Sequence, residues 1–215
     1  MPDTIFEQAT IDAGIAHLSR RDRKLARLLE RFPPVARPKP VSLFANLCRT
    51  VCAQLLSAKA ATTIFERVQA SCGGVPTPVI IQAMDPADLR GTGLSGSKAR
   101  CLQAIAAYWE SEQSIFSKVG DSTDAEVRAA LLDIKGLGPW SADMFLMFSL
   151  GRPDIYSTRD VVLANGLRLL KGLPRDTPTA KMDAVAQRWK PYRSVASMAF
   201  YIWRHNNWDD SPAGE

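Results

Sequence analysis

The chain has 215 residues and a formal net charge of +5, with 46% hydrophobic and 23% charged residues. This composition is close to that of globular proteins, so it excludes disordered, collagen-like and coiled-coil chains. No apolar run approaches the roughly 18 residues of a membrane span, and the N-terminus lacks the basic and then apolar pattern of a secretion signal. We therefore expect a cytoplasmic protein, nucleoid-associated if bacterial, that is neither secreted nor membrane-bound.

Apolar residues recur at helical spacing through nearly the whole chain, and short turns rich in Gly and Pro separate these segments. Strand-type alternation is hard to find. The sequence therefore predicts an all-α fold of about ten short helices. The main predicted helices cover residues 11–31, 43–56, 59–71, 98–109, 124–132, 139–150, 160–170, 178–189 and 192–204.

Basic residues cluster near both ends of the chain. Eight lie between Arg20 and Lys39, against two acidic ones, and five lie between Lys181 and Arg204. Such clusters favour a phosphate backbone as partner, although a solvated helix face has the same pattern. We predict a basic helix and Pro-rich connector over 1–40 that pack with the C-terminal helices, a core over 41–206, and a tail over 207–215.

Two apparent motifs carry no chemistry. Cys48 and Cys52 share a helix face but lack further ligands, so the four cysteines are predicted to be small buried apolar residues. The Gly-x-Gly-x-x-Gly pattern over 91–96 needs a preceding strand to bind a dinucleotide, and here it follows a short helix. We expect its glycines to end that helix, with Ser95 or Ser97 capping the next one.

The most informative segment is the turn Gly136-Leu137-Gly138, which joins two predicted helices. Pro139 suits the first position of the second helix because it has no amide hydrogen to leave unpaired. Exposed amides at the positive end of a helix form an anion site, and a phosphodiester fits it. An ordinary helical hairpin with a glycine turn is the alternative. About 20 residues later Asp160 opens another helix, where on its own it is simply an N-cap.

Taken together, these segments resemble the helix-hairpin-helix DNA glycosylases, in particular the 3-methyladenine DNA glycosylase II branch. The resemblance runs from about Val41 to Arg204, and several motifs occur in the family's order. These motifs are residues 51–61 (VCAQLLSAKAA), 94–98 (LSGSK), the hairpin 131–146, 150–154 (LGRPD) and 189–196 (WKPYRSVA). The resemblance implies a two-lobed, all-helical glycosylase fold that binds damaged double-stranded DNA, and we expect a monomer.

The resemblance implies a role for particular residues. Asp160 falls on the family's catalytic aspartate, which would stabilise an oxocarbenium-like transition state and align the attacking water. The target base must be flipped out of the duplex, and Leu55 falls on the apolar wedge that fills the gap; the alternative for Leu55 is a core leucine. The residues implied to bind DNA are Gln54, Leu55, Ser57, Gly136, Leu137, Gly138, Ser141 and Arg159.

Trp140 indicates the reaction subtype. Relatives that also cut the DNA backbone carry a nucleophilic lysine here, and tryptophan cannot form a Schiff base. We therefore expect a monofunctional glycosylase. Trp140 would offer its ring to a cationic base, unless it packs between helices. The other expected residues of the base pocket are Met144, for which core packing is the alternative, and either Tyr201 or Trp203, depending on the alignment.

No cofactor is expected to be required. No cysteine follows Cys101, so the iron–sulfur loop of some relatives is absent. The resemblance implies a possible structural Na⁺ or K⁺ on the backbone carbonyls of Leu132, Ile134 and Leu137.

The chain also departs from the family. We expect no counterpart of the N-terminal β-rich domain of some members, and a basic pair usual near residues 164–165 is missing. Arg159 replaces a small or acidic residue, and it could bind a phosphate, pair with Asp160 or crowd the pocket. The expected substrate is an alkylated purine such as 3-methyladenine or 7-methylguanine. The alternatives are another lesion, such as uracil or hypoxanthine, and a non-catalytic protein that binds DNA structure.

Overall fold

The computed structural model describes residues 4–208, so all of the predicted tail except Asn207 and Trp208 lies outside the described residues. Regular structure in this range is entirely helical, which confirms the all-α prediction. None of these helices has the length and apolar character needed to cross a membrane. The α-helices are α1 Gln8–Arg21, α2 Arg23–Arg31, α3 Leu43–Ala53, α4 Ala58–Ser71, α5 Pro78–Ala83, α6 Pro86–Gly91, α7 Gly96–Trp109, α8 Asp124–Leu132, α9 Pro139–Phe148, α10 Val161–Lys171, α11 Thr179–Ala186 and α12 Arg193–His205; short 3₁₀ helices cover 115–117 and 187–189.

The helices form two compact units. The central unit is residues 40–150 and contains α3 to α9, whereas the terminal unit combines residues 4–39 with 151–208 and contains α1, α2 and α10 to α12. The division therefore falls within the predicted 41–206 core, between residues 150 and 151.

Helix α3 lies at the centre of the central unit, where it contacts α4, α7 and α9. Its apolar face is buried along Phe44, Leu47 and Val51. The ring of Trp109, at the end of α7, stacks on Phe116 with 3.7 Å between centroids. Three of the four cysteines are buried in this unit, Cys72 is half-buried, and all four are free thiols.

Helix α12 has the corresponding position in the terminal unit, where it contacts α1, α2 and α10. Phe200 and Trp203 on this helix are fully buried. Helix α1 comes so close that a Cβ atom added to Gly14 would lie 2.7 Å from Cγ2 of Val195. The N-terminal and C-terminal helices therefore share one core.

The single helix predicted over 11–31 is wrong, because the chain breaks at Asp22. This residue is extended, with φ −148°, and its carboxylate accepts a hydrogen bond from the Leu25 amide at 3.1 Å. It also forms an ion pair with Lys171 and accepts from Trp189 Nε1 at 2.8 Å. The contact with Leu25 is a local N-cap signal, but Lys171 and Trp189 lie more than 140 residues away, and the spacing of apolar residues did not indicate the break. The short helix α5 was also missed, since its six residues are too few for a periodic signal.

The Asp22 cluster predicts a pH-dependent contribution to stability. Burial raises the pKa of Asp22, but the hydrogen bonds from Lys171, Trp189 and Leu25 outweigh it and hold the pKa below its ordinary value of 3.8. We expect Asp22→Asn to lower the free energy of unfolding by about 2 kcal/mol at pH 7, because it removes hydrogen bonds to a charged group. A depressed carboxyl pKa stabilises the fold above the unfolded-state value and loses this effect as the pH falls through the folded-state value. The difference from wild type in urea unfolding should therefore shrink below about pH 4; a constant difference at all pH values would contradict this.

Candidate functional site

The hairpin turn between α8 and α9 depends on two glycines that serve different purposes. Gly136 has φ +101°, and a Cβ atom there would lie 2.7 Å from Cβ of Cys101, so the fold itself requires glycine. Gly138 has an ordinary φ of −126°, and an added Cβ would meet nothing within 4 Å. The fold does not require glycine at Gly138, so its bare backbone leaves room for a ligand.

The N-terminus of α9 begins at this open glycine. Gly138 is the N-cap and cannot contribute a side chain, and Pro139 is the first helical residue, as predicted. The first-turn amides therefore have no capping side chain, and the helix dipole adds partial positive charge. This combination suits an anion that approaches the backbone closely.

An ion pair links the two helices of the hairpin. Arg128 on α8 donates to Oδ1 of Asp143 on α9, and Asp143 is buried. Leu137, at the tip of the turn, is also buried, so this predicted DNA-binding residue can contact a ligand only through its backbone. Sequence reasoning missed this ion pair, whose two residues lie 15 positions apart on separate helices.

The second feature is the loop of residues 54–57, called here the wedge loop. The predicted helix 43–56 ends at Ala53, because Gln54 turns extended and Leu55 adopts a left-handed conformation with φ +57°. Such a conformation costs a leucine about 1–2 kcal/mol. The Leu55 side chain is fully exposed, with a relative exposure of 103%. The alternative that Leu55 is a core residue is therefore excluded.

Gln54 connects the wedge loop to the hairpin. Its side-chain Nε2 donates to the carbonyl oxygen of Gly136 at 3.1 Å and to Oγ of Ser141 at 3.0 Å. The Ser141 side chain is buried, so its hydroxyl serves this contact and not a ligand in solvent. The Ser57 hydroxyl accepts from the Ala60 amide and thereby caps α4. Gln54, Ser141 and Ser57 were all predicted to bind DNA. In the structure their side chains make hydrogen bonds within the protein, between the wedge loop and the hairpin or at the start of α4.

Two predicted pocket residues lie one turn apart on α9. Trp140 is half-buried, so part of its surface is accessible, whereas Met144 is buried.

Asp160 lies in the terminal unit, at the start of α10. Its Oδ1 accepts a hydrogen bond from the Leu163 amide at 3.0 Å, which confirms the predicted N-cap. The residue is 7% exposed, so the carboxyl group is largely withdrawn from water but not sealed. Local sequence thus places one carboxylate at the positive end of a helix, where negative charge is stabilised.

Tyr201 on α12 hydrogen-bonds to the side chain of Asp160. Burial and the negative charge of Asp160 raise the pKa of Tyr201 well above its ordinary value, so the phenol stays protonated and donates. Trp203, the other aromatic candidate, is fully buried against Phe200 and Trp208. Of the two alignments, the structure therefore places Tyr201 at Asp160 and Trp203 in the core.

Arg159 is exposed and makes no hydrogen bond or ion pair with any residue in the range 4–208. Of the three predicted possibilities, pairing with Asp160 is therefore not seen. Its guanidinium points into solvent next to the acidic helix start.

Comparison with known proteins gives a consistent result. A family described as "HhH-GPD superfamily base excision DNA repair protein" matches residues 48–191. The DNA-3-methyladenine glycosylase 1 of Schizosaccharomyces pombe is 31% identical over 87% of this chain and 84% of that protein. The DNA-3-methyladenine glycosylase 2 of Escherichia coli is 27% identical over 88% of this chain and 67% of that protein.

A solved structure of the S. pombe 3-methyladenine DNA glycosylase in complex with abasic DNA matches the fold with a TM-score of 0.80 and 29% identity. The match covers 91% of this chain and 97% of that one. The matched family region, residues 48–191, contains the wedge loop, the hairpin and Asp160. The chain therefore belongs to the HhH-GPD superfamily of base excision DNA repair proteins.

Proposed function

We propose that this protein is a monofunctional DNA glycosylase that releases alkylated purines, such as 3-methyladenine and 7-methylguanine, from duplex DNA. The observation that carries the proposal is the Asp160 carboxylate, held at a helix start by the Leu163 amide and the Tyr201 hydroxyl. Relatives with about 30% identity are named DNA-3-methyladenine glycosylases, which supports the substrate class.

Asp160 is the catalytic residue in this proposal. As the bond between the sugar C1′ and the base nitrogen breaks, positive charge develops on the sugar ring, and a nearby carboxylate stabilises it. Water adds to C1′ and loses a proton, and the bonding electron pair leaves with the base. Because an alkylated purine is cationic, it departs as a neutral molecule and needs no strong general acid.

The absence of lyase activity is also a proposal, and it rests on Trp140. An amine nucleophile is needed to form a Schiff base with the sugar, and an indole cannot do this. The half-buried indole instead offers an electron-rich ring face to a cationic base. The product would then be an intact strand with an abasic site.

The DNA contacts proposed here involve both the hairpin and the wedge loop. The open backbone at Gly138 and the uncapped start of α9 suit a phosphate, and Leu55 is exposed in a conformation suited to insertion between bases. Arg159 adds a free guanidinium that would bind a second phosphate. We propose that the protein acts as a monomer in the compartment that holds the DNA.

We also propose a monovalent cation on the backbone carbonyls of the hairpin. Of the three expected carbonyl ligands, that of Ile134 already accepts the Leu137 amide at 3.0 Å. A carbonyl oxygen has two lone pairs, so one remains for Na⁺ or K⁺. Leu132, Ile134 and Leu137 would hold the ion, which would stiffen the turn.

The test of the proposed function is a panel of duplexes that each carry one lesion: 3-methyladenine, 7-methylguanine, hypoxanthine or uracil. We expect release of the alkylated purines, with strand cleavage only after hot alkali. Trapping with borohydride should give no covalent complex. Release of uracil or hypoxanthine alone would refute the substrate class, and release of no base would refute the proposal in favour of a binding protein.

Tyr201→Phe should reduce the rate of base release by about tenfold, because it removes one hydrogen bond to the charged carboxylate. DNA affinity and Tm should stay close to those of wild type, since the ring remains. Tyr192→Phe is the matched control, because the Tyr192 hydroxyl makes no hydrogen bond within residues 4–208. Equal rates for the two variants in single-turnover assays would remove Tyr201 from the mechanism.

A further inference from the structure

A lysine from another helix supports the backbone of the wedge loop. Lys98, in the first turn of α7, donates from Nζ to the carbonyl oxygen of Cys52 at 3.0 Å and to that of Gln54 at 2.8 Å. These carbonyls belong to the last turn of α3 and to the residue directly before Leu55. Lys98 lies in the 94–98 motif, but its carbonyl partners could not be predicted from that motif.

The two hydrogen bonds from Lys98 satisfy carbonyl groups at the C-terminal end of α3. The last carbonyl groups of a helix have no partner within it and carry partial negative charge, so a cation there is favourable. Here the end is abrupt, because Gln54 has a ψ of 123° and Leu55 has φ +57°. A left-handed leucine persists only where its surroundings hold it.

The Lys98 side chain that makes these two hydrogen bonds is partly shielded from solvent. Lys98 is half-buried, and burial lowers its pKa. A lysine whose role was to attract phosphate would instead keep its ammonium group in water. Its neighbour in the loop, Gln54, is bound on the other side to Gly136 and Ser141. The wedge loop is therefore held by α7 through Lys98 and by the hairpin through Gln54.

We propose that Lys98 is a positioning residue for base flipping, which acts by holding the carbonyls of Cys52 and Gln54 so that Leu55 projects from the loop. This inference rests on the proposed role of Leu55 as a wedge. It assigns to Lys98 no contact with the base or the sugar. Loss of Lys98 should therefore affect the unstacking of DNA only as long as Leu55 is present.

The experiment is a double-mutant cycle with two readouts. One is the fluorescence of 2-aminopurine next to a tetrahydrofuran abasic analogue, which rises when the base unstacks; the other is single-turnover base release. Lys98→Met keeps the length of the side chain but removes its donors. We expect it to reduce both signals about tenfold in the wild-type background and by less than about twofold in Leu55→Ala. Lys98→Arg, which keeps a donor for the carbonyls, should stay within about threefold of wild type.

Lys59→Met is the control, since Lys59 is exposed on the neighbouring helix α4 and its side chain makes no hydrogen bond within the described chain. Both signals should be unchanged in this variant. Equal losses from Lys98→Met with and without Leu55 would overturn the inference, and so would no loss at all. If the fluorescence follows the prediction but wild type releases no base, the inference holds and the proposed glycosylase activity fails.

Discussion

Asp160→Asn is expected to abolish base release, by about a thousandfold or more, while the fold and DNA binding are preserved. The carboxylate is the only group proposed to stabilise the positive sugar, and an amide carries no charge to replace it. Asparagine caps helices about as well as aspartate, so its Oδ1 can still accept from the Leu163 amide. Loss of activity would therefore report chemistry rather than unfolding.

The measurement is single-turnover release of 3-methyladenine together with the Kd for a duplex that contains an abasic analogue. Asp176→Asn is the control, because Asp176 is an exposed aspartate of the same unit whose side chain makes no hydrogen bond or ion pair within residues 4–208. Undiminished release by Asp160→Asn would refute the assignment of the catalytic residue.

The pair Gly136→Ala and Gly138→Ala should separate stability from DNA binding. At Gly136 the new methyl group would lie 2.7 Å from Cβ and 2.8 Å from Sγ of Cys101, in a backbone conformation that alanine rarely adopts. We expect a loss of about 3 kcal/mol in the free energy of unfolding from the combined clash and strain. At Gly138 the methyl group meets no protein atom and φ is ordinary. The stability of Gly138→Ala should stay within about 0.5 kcal/mol of wild type.

DNA binding should show a different pattern. The methyl group of Gly138→Ala would stand on the surface where a phosphate is proposed to approach the backbone, so we expect its Kd to rise about tenfold. Urea unfolding and fluorescence anisotropy with a labelled duplex check the two effects separately. Normal DNA binding by Gly138→Ala would show that no phosphate lies against this turn.

Local signals account for most of what the sequence predicted. Pro139 and Asp160 mark the starts of α9 and α10 because proline and aspartate suit those positions through their own chemistry. Ser95, one of two predicted candidates, caps α7 for the same reason. The break at Asp22 was missed because Lys171 and Trp189, which stabilise it, are distant in the sequence.

Contacts between residues that are distant in the sequence also limited what could be predicted about the candidate site. The contact of Tyr201 with Asp160 bridges 41 residues, and one sequence left two alignments of the aromatic residue open. The choice depends on which face of α12 enters the core, and Trp203 occupies that face. The exposure of Leu55 was likewise undecided, because the helical pattern over 43–56 gave no sign that α3 ends at Ala53. The carbonyl partners of Lys98 lie 44 and 46 residues earlier, beyond any local pattern.

The shared core of the N-terminal and C-terminal helices has a consequence for biosynthesis. Helices α1 and α2 are translated before the other described helices, but α12, against which they pack, is the last of the described helices to be translated. Closing so large a loop is entropically costly, and long-range contacts slow folding. Residues 40–150, by contrast, are contiguous. They should therefore acquire structure before α12 is made, and the surroundings of Asp160, which include Tyr201 on α12, should form only after α12 has left the ribosome.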